Sequence, residues 1–153
     1  MISFTKYDEL YGCFSNFYIC NVTYDGVTYT NSEAAWQAQK VIDESKKYKF
    51  KDLNPSEAKR LGRKVELRQD WEDVKYDYMV DVLYHKFTQN QELGKILIST
   101  GNEYIEENTT GWHDNIWGNC DCPRCKNIKG QNLLGKALME VREAMKLTNG
   151  ETK

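Results

Sequence analysis

At 153 residues the chain is long enough to close a hydrophobic core without disulfides, and 40% hydrophobic with 29% charged residues is an ordinary globular composition. A formal net charge of −2 argues against a broad non-specific nucleic-acid surface, which makes a domain basic, while leaving room for a local basic groove. No apolar run approaches the roughly 20 residues that span a bilayer, and MISFTKYDEL has neither a basic start nor a following apolar stretch, so a cytoplasmic protein with no membrane association is expected.

In chain order, ISF at 2–4 reads as a strand. In FYICNVTYDGVTYTN, Asp25-Gly26 separates two runs rich in β-branched and aromatic residues, which predicts a hairpin. A helix is expected from Asn31-Ser32 at least to Val41-Ile42, with Thr30 three residues ahead of Glu33 in a capping-box pattern. The next helix has Asn54 as N-cap, Pro55 at its first position, Glu57 three residues after the cap, and Gly62 as a left-handed C-cap. DWEDVKYDYMVDVLYHKFTQN carries Trp71, Val74, Tyr78, Val82 and Phe87 at roughly helical spacing and predicts one long helix. QELGKILIS predicts a short helix closed by Gly101, and EYIEE a short strand. The last helix is expected from about Asn132 to Met145, with Leu134, Leu138, Val141 and Met145 on its apolar stripe. No βαβ series is visible. The expectation is an α+β fold, a single domain over 1–147, mainly helical with an early hairpin and a small sheet, followed by a flexible tail at 148–153.

Three segments hold residues suited to chemistry. On the first helix Glu33, Gln37, Lys40 and Glu44 point one way, roughly opposite Ala34, Ala38, Val41 and Ile42. Such a polar face is expected to be solvated. The alternative is that Glu33 and Lys40, about two turns apart beside the small Ala34 and Ala35, bracket a small substrate. Around Gly62, the cluster Arg60, Arg63, Lys64 and Arg68 suits an anionic group such as phosphate, or simply a solvated surface.

The third segment is HDNIWGNCDCPRCKN, 113–127. Five cysteines is an odd count, and in a reducing compartment clustered thiols point to metal rather than to disulfides. Cys120, Cys122 and Cys125 form C-x-C-x-x-C, three thiolates for one structural Zn²⁺, with His113, Asp121, Cys13 or Cys20 open as the fourth ligand. The alternative is a polar loop with reduced, unmetallated thiols. A zinc-deaminase pattern of H-x-E followed by P-C-x-x-C is not met, because Asp114 and Asn115 follow His113 and the proline lies inside the C-x-x-C. In DNIWG, Asp114 and Trp117 offer a carboxylate near a stacking ring, although tryptophan is more often core.

FSNFY, DGVTYTNSEAAWQAQK, AKRLGRKVELRQDWEDVK, KFTQNQELGKILISTG, DNIWG and GQNLLGKALMEVR, in this order, resemble the NADAR (YbiA-like) family from about Ile2 to Met145. The resemblance implies an α+β domain that breaks a ribose C1–N bond without a cofactor. Its substrate is either a phosphorylated ribosylaminopyrimidine of riboflavin synthesis or ADP-ribose on guanine, so the expected partner is a ribosyl or ADP-ribosyl small molecule, with ADP-ribosylated nucleic acid as the other choice. The family motifs fall on Ser32 and Glu33, on Gln39 and Lys40, on Gly62 and Arg63, on Asp70 and Trp71, and on Asp114, Trp117 and Gly118. Glu33, Lys40 and Asp114 are the implied catalytic residues. Asn16, Arg63, Trp71, Trp117 and Gly118 are the implied substrate contacts. Two departures stand out: Ala34 replaces the histidine or glutamine that many members carry, and NCDCPRCKNIK replaces a short glycine-rich link. The cysteine loop is thus expected to brace Asp114 and Trp117. The rival expectation is a module that binds ADP-ribose or a nucleotide without cleaving it; a metal-dependent nuclease or deaminase lacks its ligand spacing.

Overall fold

The computed structural model describes residues 1–148. Its elements are β1 (Ile2–Phe4), β2 (Ile19–Tyr24), β3 (Val27–Asn31), α1 (Ser32–Gln37), α2 (Glu44–Lys47), α3 (Pro55–Gly62), α4 (Trp71–Gln89), α5 (Gln91–Ser99), β4 (Ile105–Glu107) and α6 (Leu133–Thr148). Helices dominate, strands are few, and the α+β expectation holds. Among the described residues no helix is long and apolar enough to cross a membrane. Two units are distinguished, Asn16–Gly94 and Met1–Ser15 with the chain from Lys95 onward.

In the first, β2 and β3 pair antiparallel, with Val22 opposite Tyr29 and Tyr24 opposite Val27. Asp25 and Gly26 take φ of 52° and 84°, the left-handed pair that a two-residue hairpin turn demands and that an Asp-Gly sequence supplies. Alternation along the strands sends Val22, Tyr24 and Tyr29 inward. They join Ala34, Ala35 and Ala38, Phe50, Ala58 of α3 and Val82 of α4 in one core. Trp71, Val82 and Phe87 are buried as their spacing predicts, with Val74 and Tyr78 half-buried.

The first helix departs from expectation. Its N-cap is Asn31, whose side chain accepts from the Ala34 N–H, so Thr30 is not the cap. The helix also stops early. It tightens into a 3-10 turn at Ala38–Lys40, and Val41 is already extended. The reason is local: Asp43 caps α2 through the Ser45 N–H, and that competing cap draws Val41 and Ile42 out of the helix. Ile42, expected on the apolar side, is 69% exposed. At α3 the Asn54–Glu57 capping box forms in both directions with Pro55 at the first turn. Gly62, however, is the last helical residue and not a left-handed cap; the C-cap is Arg63 at φ −80°.

In the second unit β1 and β4 pair parallel, Ile2 against Ile105 and Phe4 against Glu107, a pairing the sequence pattern did not suggest. Gly101 takes φ 62° just after α5, as expected of a helix-closing glycine. Leu134, Leu138, Val141 and Met145 of α6 are buried as predicted. Thr148 belongs to α6, and the rest of the expected tail, 149–153, lies outside the described residues.

Because the Asn54 cap satisfies an otherwise orphaned donor in a fully formed box, Asn54→Ala is expected to cost about 1 kcal/mol in denaturant unfolding, with an unchanged m-value.

Candidate active site and metal centre

The face of α1 expected to meet water is largely inside. Glu33 and Gln37 are 8% and 4% exposed, Lys40 is half-buried, and Glu44 has left the face for the separate helix α2, where it is exposed. A buried carboxylate must be hydrogen-bonded to be tolerable. Gln37 Nε2 donates to Glu33 Oε2 at 2.7 Å, one helical turn on. Lys40 Nζ donates to the Gly62 carbonyl at 3.2 Å and stands 5.7 Å from the centre of the Trp36 ring. Burial lowers the Lys40 pKa from its ordinary value; the Glu33 charge opposes that shift and Arg63 adds to it.

Gly62 permits this arrangement. A Cβ there would overlap Gln37 Oε1 and lie 3.3 Å from Lys40 Nζ. The glycine is needed for close approach, not for a left-handed turn. Arg63, the expected phosphate contact, is exposed beside it. Arg68, of the same basic cluster, is engaged, its Nε donating to Asp70 Oδ1 at 2.6 Å and its Nη1 to the Tyr78 hydroxyl at 2.9 Å.

The start of α1 is fixed from below. Lys86, fully buried on α4, donates to Ser32 Oγ at 3.3 Å, and Ser32 Oγ donates to Asn16 Oδ1 at 2.8 Å. The Asn16 amide also donates to Met79 Sδ at 3.4 Å, and its backbone carbonyl accepts from the Glu33 N–H at 3.2 Å. Both ends of the Asn16 side chain, expected to meet ribose, are therefore occupied within the protein, 7% exposed. Trp71, expected as a stacking platform, is buried between Trp36, 5.2 Å away between ring centres, and Tyr78, at 6.4 Å. Lys86 went unnoticed in the sequence, yet it falls in step with Val82 and Leu83 on the buried stripe of α4, a cation where an apolar residue belongs.

Asp114, Trp117 and Gly118 belong to the second unit. Asp114 Oδ1 accepts from the N–H groups of Ile116 and Trp117, both at 2.9 Å, an Asx turn that leaves its other oxygen outside the turn. Gly118 is buried, where a Cβ would overlap Thr109 and stand 2.8 Å from the Glu107 carbonyl. Next to Asp114, His113 adopts φ 58° and aims its ring at the cysteine loop. Its Nδ1 lies 3.3 Å from Cys120 Sγ, 3.3 Å from Cys122 Sγ and 3.8 Å from Cys125 Sγ. All four ligand atoms lie within 4.8 Å of one another, and the group can hold a metal ion. Of the four candidates for the fourth position, His113 is the one in this group; Asp121, Cys13 and Cys20 are not part of it.

A buried, hydrogen-bonded carboxylate on α1 and a half-buried lysine on its 3-10 extension thus stand together within an α+β fold. The NADAR domain family model matches residues 3–146, and the chain belongs to that family. It is 36% identical over 148 residues to the N-glycosidase YbiA of Escherichia coli (strain K12), covering 95% of this chain and 88% of that protein. An N-glycosidase of Nostoc punctiforme is 36% identical over 152 residues, with 95% and 92% covered. A riboflavin biosynthesis protein of Vibrio vulnificus (strain YJ016) is 33% identical over 147 residues, which are 94% of this chain and 38% of that longer protein. The fold matches the NMR structure of the E. coli protein YbiA with a TM-score of 0.83 at 36% identity, covering 98% of this chain and 87% of that one.

Gly→Ala inside a helix ordinarily stabilises by about 0.5–1 kcal/mol. At Gly62 the sign reverses: Gly62→Ala is expected to cost about 1–3 kcal/mol in thermal unfolding, because the methyl overlaps the Gln37 amide.

Proposed function

We propose that the chain is an N-glycosidase that hydrolyses the ribose C1–N bond of a small ribosylated molecule, with Glu33 and Lys40 as its working groups. The observation that carries this is the pairing on α1 and its 3-10 extension of a buried carboxylate with an amine whose pKa is lowered by burial. The N-glycosidase names of its relatives support the reaction type, and the riboflavin biosynthesis name of the Vibrio relative supports a ribosylaminopyrimidine phosphate over ADP-ribose on guanine.

Breaking a ribosyl C–N bond builds positive charge on the sugar, so a carboxylate placed against C1 stabilises the transition state more than the ground state. Glu33 is suited to that charge and to orienting ribose hydroxyls or an attacking water. Lys40 is suited to covalent attack, because the lowered pKa favours its amine form. In that course Nζ bonds to C1 as the C1–N bond to the base breaks, one Nζ proton passes to the leaving nitrogen, and the second passes to the ring oxygen as the ring opens to an imine. Water then hydrolyses the imine, releasing the sugar and restoring the amine. Arg63 is exposed and available for a substrate phosphate. For Asp114, held in its Asx turn in the second unit, the family resemblance implies a catalytic carboxyl function. Asn16 and Trp71 serve by holding Ser32 and Trp36 rather than by touching substrate.

The purified protein and its Glu33→Gln variant, given a ribosylaminopyrimidine phosphate and an ADP-ribosylated guanine oligonucleotide, separate the possibilities by mass spectrometry. Release of ribose phosphate is expected from the first substrate, falling by about 10²-fold or more in the variant. Borohydride added during turnover is expected to leave a sugar adduct on Lys40. Tight ADP-ribose binding with no release from either substrate would make the chain a binding module instead.

For the cysteine loop we propose a structural zinc ion held by His113, Cys120, Cys122 and Cys125. A tetrahedral zinc with bonds of about 2.0–2.3 Å sets its ligands about 3.5–3.8 Å apart, close to the His113–sulfur separations of 3.3–3.8 Å. Four protein ligands fill the coordination shell, so the ion braces the turn that carries Asp114. Elemental analysis of cytoplasmically expressed protein is expected to give one zinc per chain. Cys125→Ser is expected to lose the metal and lower the melting temperature; metal-free wild type with an unchanged melt would dismiss the ion.

A further inference from the structure

The Gln37 side chain is 4% exposed, and its Nε2 is committed to the Glu33 carboxylate at 2.7 Å. Its Oε1 is buried and has no hydrogen-bond partner among the described residues. An acceptor held this way normally has a donor close by. The niche into which Oε1 points is the space vacated by the missing side chain of Gly62, and Lys40 Nζ borders the same space: a Cβ at Gly62 would overlap Oε1 and stand 3.3 Å from Nζ. Lys40 currently directs one of its three possible donors at the Gly62 carbonyl.

We propose that Gln37 is the positioning residue of this site, its amide standing between the Glu33 carboxylate and the Lys40 ammonium, with Nε2 donating to the first and Oε1 accepting from the second. The orientation of the amide follows from the charges at its two ends. Turned over, it would set an oxygen against the carboxylate and an NH₂ against the ammonium, so both contacts would repel. In the observed sense Nε2 faces the carboxylate, and Oε1 is left toward the niche that Lys40 Nζ borders. Rotation about the terminal bonds of Lys40 carries Nζ between two acceptors, the Gly62 carbonyl and Gln37 Oε1, each of which holds the ammonium and releases the amine. Gln37 thereby fixes the spacing of the two groups, its oxygen opposing the burial that lowers the Lys40 pKa until Nζ turns away as the free amine.

The groups acting on Lys40 are then accounted for on each side: Glu33 on α1 favours its charge, Arg63 at the end of α3 disfavours it, and the Trp36 ring lies against it. Gly62 is part of the same device, since any side chain at that position would close the niche.

The inference rests on the reading that Glu33 and Lys40 carry the chemistry, but its test reads Lys40 without turnover, so the two stand or fall separately. Wild type and Gln37→Met, the near-isosteric variant without polar ends, are acylated with an amine-reactive ester across a pH series, and modification at Lys40 is followed by peptide mass spectrometry. Losing an acceptor for the ammonium moves the Lys40 midpoint to lower pH. Modification at a fixed pH below the midpoint is expected to rise about tenfold, the equivalent of about one pH unit, while Lys75 and Lys146 are unchanged. An unmoved Lys40 profile in a variant with native circular dichroism would reduce Gln37 to a core filler and overturn the proposal. Where Gln37→Met does not fold, NMR of the wild-type chain decides. A scalar correlation across the hydrogen bond from Lys40 Nζ to Gln37 Cδ is expected, and one to the Gly62 carbonyl alone overturns it. The same variant is expected to lose kcat with little change in KM, the pattern of misaligned groups rather than of a lost substrate contact.

Discussion

Burying the Glu33 carboxylate is the constraint around which the first unit is arranged. An ionised carboxyl removed from water has to recover its hydration from fixed donors, and a short helix offers few. The nearest is the side chain one turn on, and a glutamine there reaches the carboxylate without adding charge. Placing that glutamine inside demands space on its far side, and Gly62 at the end of α3 provides it. The three alanines of the segment, Ala34, Ala35 and Ala38, serve the opposite purpose: with nothing beyond Cβ, they let α1 lie close against its neighbours, on the side away from Glu33 and Gln37.

The rest of the unit holds this short helix still. Six residues of helix have little stability of their own, because nucleation is costly and few hydrogen bonds follow it. The order must come from outside. Asn31 caps the first turn, Asn16 takes the Glu33 N–H through its carbonyl, and the Lys86–Ser32–Asn16 chain ties the start of the helix to α4. At the other end the Arg68 N–H takes the Lys40 carbonyl at 2.8 Å, which ends the 3-10 turn and sets where the lysine side chain begins. Trp36 closes the arrangement by donating from its ring N–H to the Lys75 carbonyl at 3.0 Å and lying under the lysine. Preorganisation of this kind is what a reaction with a short-lived cationic transition state requires.

Much of this was legible in the sequence wherever local chemistry decides conformation. Asp25-Gly26 dictated its turn and Asn54-Pro55-Glu57 dictated its cap, because each signal is complete within a few residues. Periodicity found the long helix α4 and the stripe of α6 for the same reason. It failed at α1, where the pattern ran on to Ile42 but Asp43 supplied a rival cap, and where a polar face turned out to be buried. Whether a polar stripe meets water is decided by what packs on it, and that information lies some twenty-five residues away at Gly62. The glycine was noticed for the wrong property, left-handed freedom instead of absence of a side chain. The parallel pairing of β1 with β4 was similarly hidden, since its partners are separated by about a hundred residues and neither three-residue strand announces a partner.

On the reading proposed above, the glutamate–lysine pair carries the chemistry and the cysteine loop does not. Departure of a base from ribose leaves a cation-like sugar, which a carboxylate stabilises. A metal ion ringed by three thiolates and an imidazole has no open position for water. Such an ion can act only through geometry, by holding His113 in its left-handed conformation and with it the turn in which Asp114 accepts from the N–H groups of Ile116 and Trp117. The short glycine-rich link that the family resemblance leads one to expect would reach that turn by backbone freedom. Here eleven residues replace it, and a loop of that length has more conformations to lose; four ligands converging on one point are a direct way to lose them.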